Sequence, residues 1–132
     1  MLVADGRFAA PAQRLKDASS AGFPNLREFA SLDGEAKVFL KERPFISAAV
    51  LVPDGAGTVL ESLGLADRHI AAVSSVAART RGFVYAVPRT AKSYAFVFVA
   101  SDPKTMEELV NRFTELAGFV PGHDGVLVEV AR

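Results

Sequence analysis

The sequence predicts one α+β domain: a ferredoxin-like βαββαβ sheet with two helices, preceded by a helical N-terminal segment. Its length of 132 residues is close to the commonest size of a single domain. Half of the residues are hydrophobic and 23% are charged, as in an ordinary globular chain. After residue 44, segments in which apolar residues alternate as in a strand are interspersed with segments in which they recur at helical spacing.

The N-terminal third predicts short helices joined by turns. Residues 12–19 and 35–42 have weak helical patterns. Pro24 fits the first turn of a further helix, which would carry Leu26 and Phe29 on its apolar face. We therefore expect this part of the chain to be helical and to precede the sheet.

The α+β core at residues 44–132 follows the N-terminal helical segment at residues 1–43 within a single domain. Its predicted elements, in order, are a strand at 45–52, a weak piece at 58–63, a helix at 66–79, strands at 83–87 and 94–100, a helix at 103–117 and a strand at 126–131. If the weak piece is a helical turn, the order is the ferredoxin-like βαββαβ. If it is a strand, the layout moves toward a sheet of the roadblock or profilin type. We favour the first alternative.

The helix at 103–117 has the clearest sequence signals. Asp102 is the predicted N-cap, and Pro103 fits the first helical position. Apolar residues recur at helical spacing on one face, whereas Glu108 and Arg112 lie four apart on the charged face, a spacing that favours an ion pair. We therefore expect this helix to pack its apolar face on the sheet.

Few residues suited to catalysis or metal binding are present. The chain has no cysteine and two histidines, which excludes thiolate chemistry and cysteine-based metal sites. His69 lies near a helix start, where we expect a surface side chain, and Asp124 could orient His123 within a turn. We predict no catalytic residue, no metal and no cofactor. A small enzyme or ligand-binding domain, with a pocket near Gly55–Gly57 and His123, is kept as one alternative.

Charge is balanced overall but not along the chain. The 15 acidic and 15 basic residues give a net charge of zero, which argues against a strongly basic nucleic-acid-binding module. Residues 68–101, however, hold five basic residues and no acidic residue. An anionic partner would bind this part of the chain.

Localisation is predicted from what the sequence lacks. The N-terminus has no long apolar run of the kind found in a signal peptide. No apolar stretch is long enough to span a membrane. We therefore expect a cytoplasmic protein without a membrane partner.

One predicted strand carries a row of aromatic residues. Alternation puts Tyr94, Phe96 and Phe98 on one face and smaller residues on the other. If the smaller residues pack under helices, the aromatic row lies on an open sheet face beside a basic loop. Single-stranded nucleic acid binds such surfaces, because bases stack on rings and phosphates meet cations.

Residues 92–99 resemble the ribonucleoprotein octapeptide of the RNA-recognition motif, which reads K/R-G-F/Y-G/A-F-V-x-F/Y. The matching residues are Lys92, Tyr94, Ala95, Phe96 and Val97. Ser93 replaces the glycine and Val99 replaces the final aromatic residue. The resemblance covers at most residues 58–132. It implies that RNA bases stack on Tyr94 and Phe96 while Lys92 contacts a phosphate.

The aromatic row can equally be buried core or an interface. A bare row of rings would form a natural dimer interface, and the N-terminal segment contains enough apolar residues to cover a sheet face. Our leading hypothesis is a small non-catalytic binding or assembly module that acts through its sheet face, with a protein partner or as a homo-oligomer. The alternative is RNA-recognition-like binding of single-stranded RNA. The candidate binding residues are Arg81, Arg89, Lys92, Tyr94, Phe96 and Phe98.

Overall fold

The computed structural model describes residues 2–18, 26–29, 48–54, 56–62, 64–90, 93–115 and 124–132. The strands in these ranges are β1 (Leu2–Asp5), β2 (Leu26–Phe29), β3 (Ala48–Leu51), β4 (Thr80–Thr90), β5 (Ser93–Ala100) and β6 (Gly125–Ala131). The helices are α1 (Ala9–Ala18), α2 (Ala56–Ser62), α3 (Asp67–Arg79) and α4 (Pro103–Thr114), and a 3-10 turn at Gly6–Phe8 leads into α1. None of these helices is long and apolar enough to cross a membrane.

The strands form one mixed sheet in the order β2-β1-β3-β5-β4-β6. Strand β1 pairs in parallel with β2 and β3, and β3 pairs in parallel with β5. Strand β4 is antiparallel to both of its neighbours, β5 and β6. The strand ends at Asp5, Leu51 and Ala100 therefore lie along one edge of the sheet, where β4 begins. We call this edge the carboxyl edge.

Helices cover both faces of the sheet. On β3, Ala48 and Val50 pack into one core and Ala49 and Leu51 into the other, because successive side chains of a strand alternate between faces. The first core lies under α1 and α4, and the second lies under α2 and α3. Strands buried on both faces are rich in apolar residues, which explains the apolar runs at residues 2–4 of β1 and 48–51 of β3.

The α+β class is confirmed, but the ferredoxin-like order is not. That order has one helix between the first strand and the hairpin, and both of its helices lie on one face. Here two helices, α2 and α3, separate β3 from β4, and α4 lies on the opposite face. The additional helix reverses the chain direction, so that β4 starts at the carboxyl edge. Strand β6 then joins the sheet beside β4 instead of beside β3.

The prediction of a helical N-terminal segment is wrong in part. The helix at 12–19 is confirmed as α1, but Leu2–Asp5 is a fully buried strand inside the sheet. Leu26–Phe29, predicted to begin a helix, is strand β2, which pairs with β1. Pairing with a neighbouring strand overrides the local apolar pattern at these four residues. The predicted helical piece at 35–42 lies outside the described residues.

The predicted elements of the core are mostly confirmed. Residues 58–62 of the weak piece belong to helix α2, in agreement with the favoured alternative. The helix at 66–79 is confirmed as α3. Helix α4 begins as predicted, because the Asp102 carboxylate accepts a hydrogen bond from the Thr105 backbone N–H at 2.8 Å. The spacing of Arg112 from Glu108 favoured an ion pair between them. In the structure, Arg112 Nη1 donates a hydrogen bond to the backbone carbonyl of Glu129 on β6 at 3.0 Å.

Substitution of Gly82 tests the close packing of β4 under α4. A Cβ at Gly82 would lie 2.9 Å from the carbonyl oxygen of Val99 and 2.9 Å from Thr105 Cγ2. We expect Gly82→Ala to lower the free energy of unfolding by about 1–3 kcal/mol, since the core becomes overpacked. Gly57→Ala in α2 is the matched control, because its new Cβ would meet Ile70 Cγ2 at an ordinary 3.7 Å. Urea unfolding measures both variants, and a Gly82→Ala variant as stable as wild type would contradict the described packing.

Candidate functional site

The six predicted binding residues are only partly described. Lys92 lies outside the described residues, and the side chains of Arg89 and Tyr94 do so as well. Of the six, the structure therefore describes the side chains of Arg81, Phe96 and Phe98.

The described aromatic residues of β5 do not lie on an open sheet face. Phe98 is fully buried, and Phe96 is partly buried against the core under α1 and α4. Each ring meets the ring of Phe113 from α4 edge-on, with centroids 5.1 Å apart. Of the alternatives that the sequence left open for the aromatic row, burial in the core is the one found at Phe98, because α4 covers this face while α2 and α3 cover the other. A base therefore cannot stack on Phe98.

Arg81 lies at the opposite end of β4 from the hairpin turn. It is exposed at the start of β4, on the carboxyl edge, whereas Arg89 stands near the other end of the same strand. Eight strand residues span roughly 26 Å. Arg81 and Arg89 therefore stand toward opposite ends of β4.

A different group of polar residues gathers at the carboxyl edge. Asp5 ends β1, and Asp54 follows β3 after a short turn. The chain leaves β1 toward α1 on one face and leaves β3 toward α2 on the other. In open α/β sheets, neighbouring connections that leave toward opposite faces create a crevice outside the strand ends, where ligands commonly bind. We call the region around Asp5, Arg7 and Asp54, where this topology leads us to expect such a crevice, the switch crevice.

A buried carboxylate orients Arg7 at the switch crevice. Asp5 is fully buried, and its carboxylate accepts hydrogen bonds from the Arg7 backbone N–H at 2.9 Å, from Nε at 3.0 Å and from Nη2 at 3.1 Å. A buried carboxylate is costly unless it is paired, so these contacts fix the guanidinium relative to the backbone. The Arg7 side chain is 60% exposed. Its Nη1 end points away from the contact with Asp5 and carries further N–H donors.

The charges around Arg7 are mixed. The hydrogen bond and the charge of Asp5 raise the pKa of Arg7, and the charge of Asp54 adds to this at longer range. Asp54 is exposed. Among the described residues, the switch crevice therefore presents a fixed guanidinium with an acidic residue nearby.

A second helix starts at the same edge beside α1. Asp102 caps α4 with Oδ1 on the Thr105 backbone N–H and Oδ2 on the Thr105 hydroxyl, both at 2.8 Å. These hydrogen bonds, with a smaller contribution from Arg81, hold the pKa of Asp102 below its ordinary value. An exposed ion pair of 3.1 Å between Arg14 and Glu107 joins α1 to α4. The N-termini of both helices thus face the carboxyl edge on one side of the sheet.

A buried histidine forms a separate polar cluster away from this edge. His69 is buried, contrary to the prediction of a surface side chain, and its Nδ1 lies 3.3 Å from the Tyr85 hydroxyl. Asp124 Oδ1 lies 3.6 Å from the same Nδ1, and Asp124 Oδ2 lies 3.3 Å from Arg68 Nη1. Asp124 thus approaches His69, whereas the sequence predicted that it could orient His123. His123 lies outside the described residues.

Sequence reasoning missed both polar clusters for different reasons. Asp5 and Arg7 follow a short apolar run with an Asp-Gly turn, which is a strand-end signal that the helical interpretation of the N-terminus obscured. The cluster around His69 joins residues from three separate elements, and no local spacing indicates it. Only the packing of α3 against β4 and β6 brings these residues together.

No protein-family model, curated protein or solved structure matches this chain.

The cap at Asp102 predicts a pH dependence of stability. Because the folded-state pKa of Asp102 is lowered, its contribution is fully present above the unfolded-state pKa near 3.8 and is lost as the pH falls through the folded-state value. Asp102→Asn keeps a capping acceptor but cannot titrate, and Asp102→Ala removes the cap at a cost of about 1 kcal/mol. We expect the stability advantage of wild type over Asp102→Asn to shrink below about pH 4. Urea unfolding across this range measures it, and a constant difference between the two proteins would contradict the assignment.

Proposed function

We propose that this chain is a small-ligand-binding domain whose switch crevice binds the oxyanion of a carboxylate or phosphate. The observation that carries the proposal is the contact of Arg7 with the buried Asp5. We further propose that the domain works in the cytoplasm, as the sequence predicts. This function develops the ligand-binding alternative of the sequence and moves its site from the Gly55–Gly57 and His123 region to Arg7.

The geometry of the guanidinium supports an anionic ligand. The Asp5 carboxylate accepts hydrogen bonds from Nε and from one hydrogen of Nη2, along one side of the planar guanidinium group. The two N–H donors at the end of the fork, one on Nη1 and one on Nη2, have the spacing of two oxygens in a carboxylate or phosphate. Because Asp5 already fixes the orientation of Arg7, a ligand loses little of its binding energy to ordering the side chain.

The position of Arg7 supports the same class of ligand. It lies in the 3-10 turn that leads into α1, so the positive end of that helix faces the switch crevice. The nearby Asp54 carboxylate disfavours a highly charged anion. It favours a ligand that carries a hydroxyl or ammonium group beside its oxyanion, because that group can donate a hydrogen bond to the Asp54 carboxylate.

Binding through the sheet face has less support from the described residues. Helices cover both faces of the described sheet, and Phe98 is buried. Self-association, a protein partner and binding of single-stranded RNA stay predictions of the sequence.

Calorimetric titration with phosphate, pyrophosphate and succinate tests the proposal. We expect wild type to bind at least one of these anions and Arg7→Ala to weaken that binding by roughly 10- to 100-fold, the worth of a charge-assisted hydrogen-bond pair. Arg7→Lys keeps the charge but loses the planar fork, so its affinity should lie between the two.

Arg14→Ala is the matched control, since Arg14 lies on the next helix and forms only an exposed ion pair with Glu107. It should bind as wild type does. The proposal is wrong if wild type binds none of the three anions, or if Arg7→Ala and Arg14→Ala bind equally well.

A further inference from the structure

The cluster around His69 lies far from the proposed ligand site and combines groups that can exchange partners. His69 is in the first turn of α3, Tyr85 is in the middle of β4, and Asp124 directly precedes β6. The Tyr85 hydroxyl and the Asp124 carboxylate both approach the same ring nitrogen, Nδ1, at 3.3 and 3.6 Å. One ring atom therefore connects a helix with two different parts of the sheet.

The protonation state of the imidazole decides which partner Nδ1 prefers. In the neutral ring, Nδ1 either accepts a hydrogen bond from the Tyr85 hydroxyl or donates one to it. In the charged ring, Nδ1 is a donor, and the Asp124 carboxylate is a much stronger acceptor than a phenol oxygen. Gaining a proton thus favours the longer of the two observed contacts over the shorter one.

Charged groups of both signs surround the ring. Among the described residues, those facing the ring are Tyr85 from β4, Asp124 from the segment before β6, and Arg68 from its own helix. Arg68 and the positive end of α3 oppose a charged imidazole, whereas Asp124 favours it. Burial and the charge of Asp124 raise the pKa of Tyr85, so the phenol keeps its proton at neutral pH.

We propose that His69 is a pH-sensitive latch between α3 and the start of β6, in which protonation moves the Nδ1 hydrogen bond from the Tyr85 hydroxyl to the Asp124 carboxylate. At higher pH the latch ties α3 to β4. At lower pH it ties α3 to the backbone just before β6. Since Val126 pairs with Tyr85 and Gly125 pairs with Ala86, the exchange acts on the end of the β4–β6 ladder where β6 begins. The element that responds is the amino-terminal end of the edge strand β6.

Nuclear magnetic resonance of the isotope-labelled chain from about pH 8 to pH 5 tests the latch, a range that covers the ordinary titration of histidine. We expect the His69 ring signals and the backbone amide of Gly125 to titrate together. Asp124→Asn removes the charged acceptor, so the titration of the His69 ring should move to lower pH and the Gly125 response should be lost. Tyr85→Phe removes the partner of the neutral form, so the same titration should move to higher pH.

His123→Gln assigns the second imidazole and is expected to leave the His69 titration unchanged. The latch is overturned if the Gly125 amide does not follow the His69 ring in this variant, or if Asp124→Asn leaves the ring titration where it was. If Asp124→Asn does not fold, the comparison of His123→Gln with Tyr85→Phe decides: equal midpoints of the His69 titration overturn the proposal.

Discussion

The burial of the central parallel pair β3–β5 on both faces is the constraint on which the rest of the structure depends. Side chains of β3 alternate between two apolar cores, and those of β5 do the same, with Phe98 on one side and Val97 on the other. Each core must be closed by helices, because neither face can be left to water at this apolar content. The chain therefore sends α1 and α4 to one face and α2 and α3 to the other.

The proposed ligand site follows from this division of the helices. The connections after β1 and β3 leave toward opposite faces of the sheet, a topology in which ligands commonly bind between the two strand ends. Asp5 and Arg7 lie at that position, and the buried carboxylate gives the exposed guanidinium a defined direction. The faces of the sheet are committed to packing, so polar recognition in the described part of the chain is concentrated at the carboxyl edge. The cluster around His69 serves a different end of the molecule, where α3 meets β6.

The sequence predicted the elements whose signals are local. The cap and proline at the start of α4, the apolar stripe of α3 and the β4–β5 hairpin follow from residue spacing alone, and the structure has all of them. It did not predict β1 or β2, because a strand buried on both faces lacks the alternation that identifies a strand, and Leu26–Phe29 depends on its partner for its conformation. The aromatic alternation of β5 was read correctly as two faces, but periodicity cannot tell which face a helix covers. The partners of His69 could not be predicted, since they come from three elements.

The central claim is that this fold places its binding surface at the carboxyl edge and not on the aromatic face of β5. Amide chemical-shift mapping during titration with phosphate, at constant ionic strength, tests it most directly. The account predicts that the largest shifts occur at Gly6, Arg7 and Asp54, with little change from residue 94 to residue 98. Shifts concentrated at residues 94–98, or spread evenly over exposed basic residues, would contradict it.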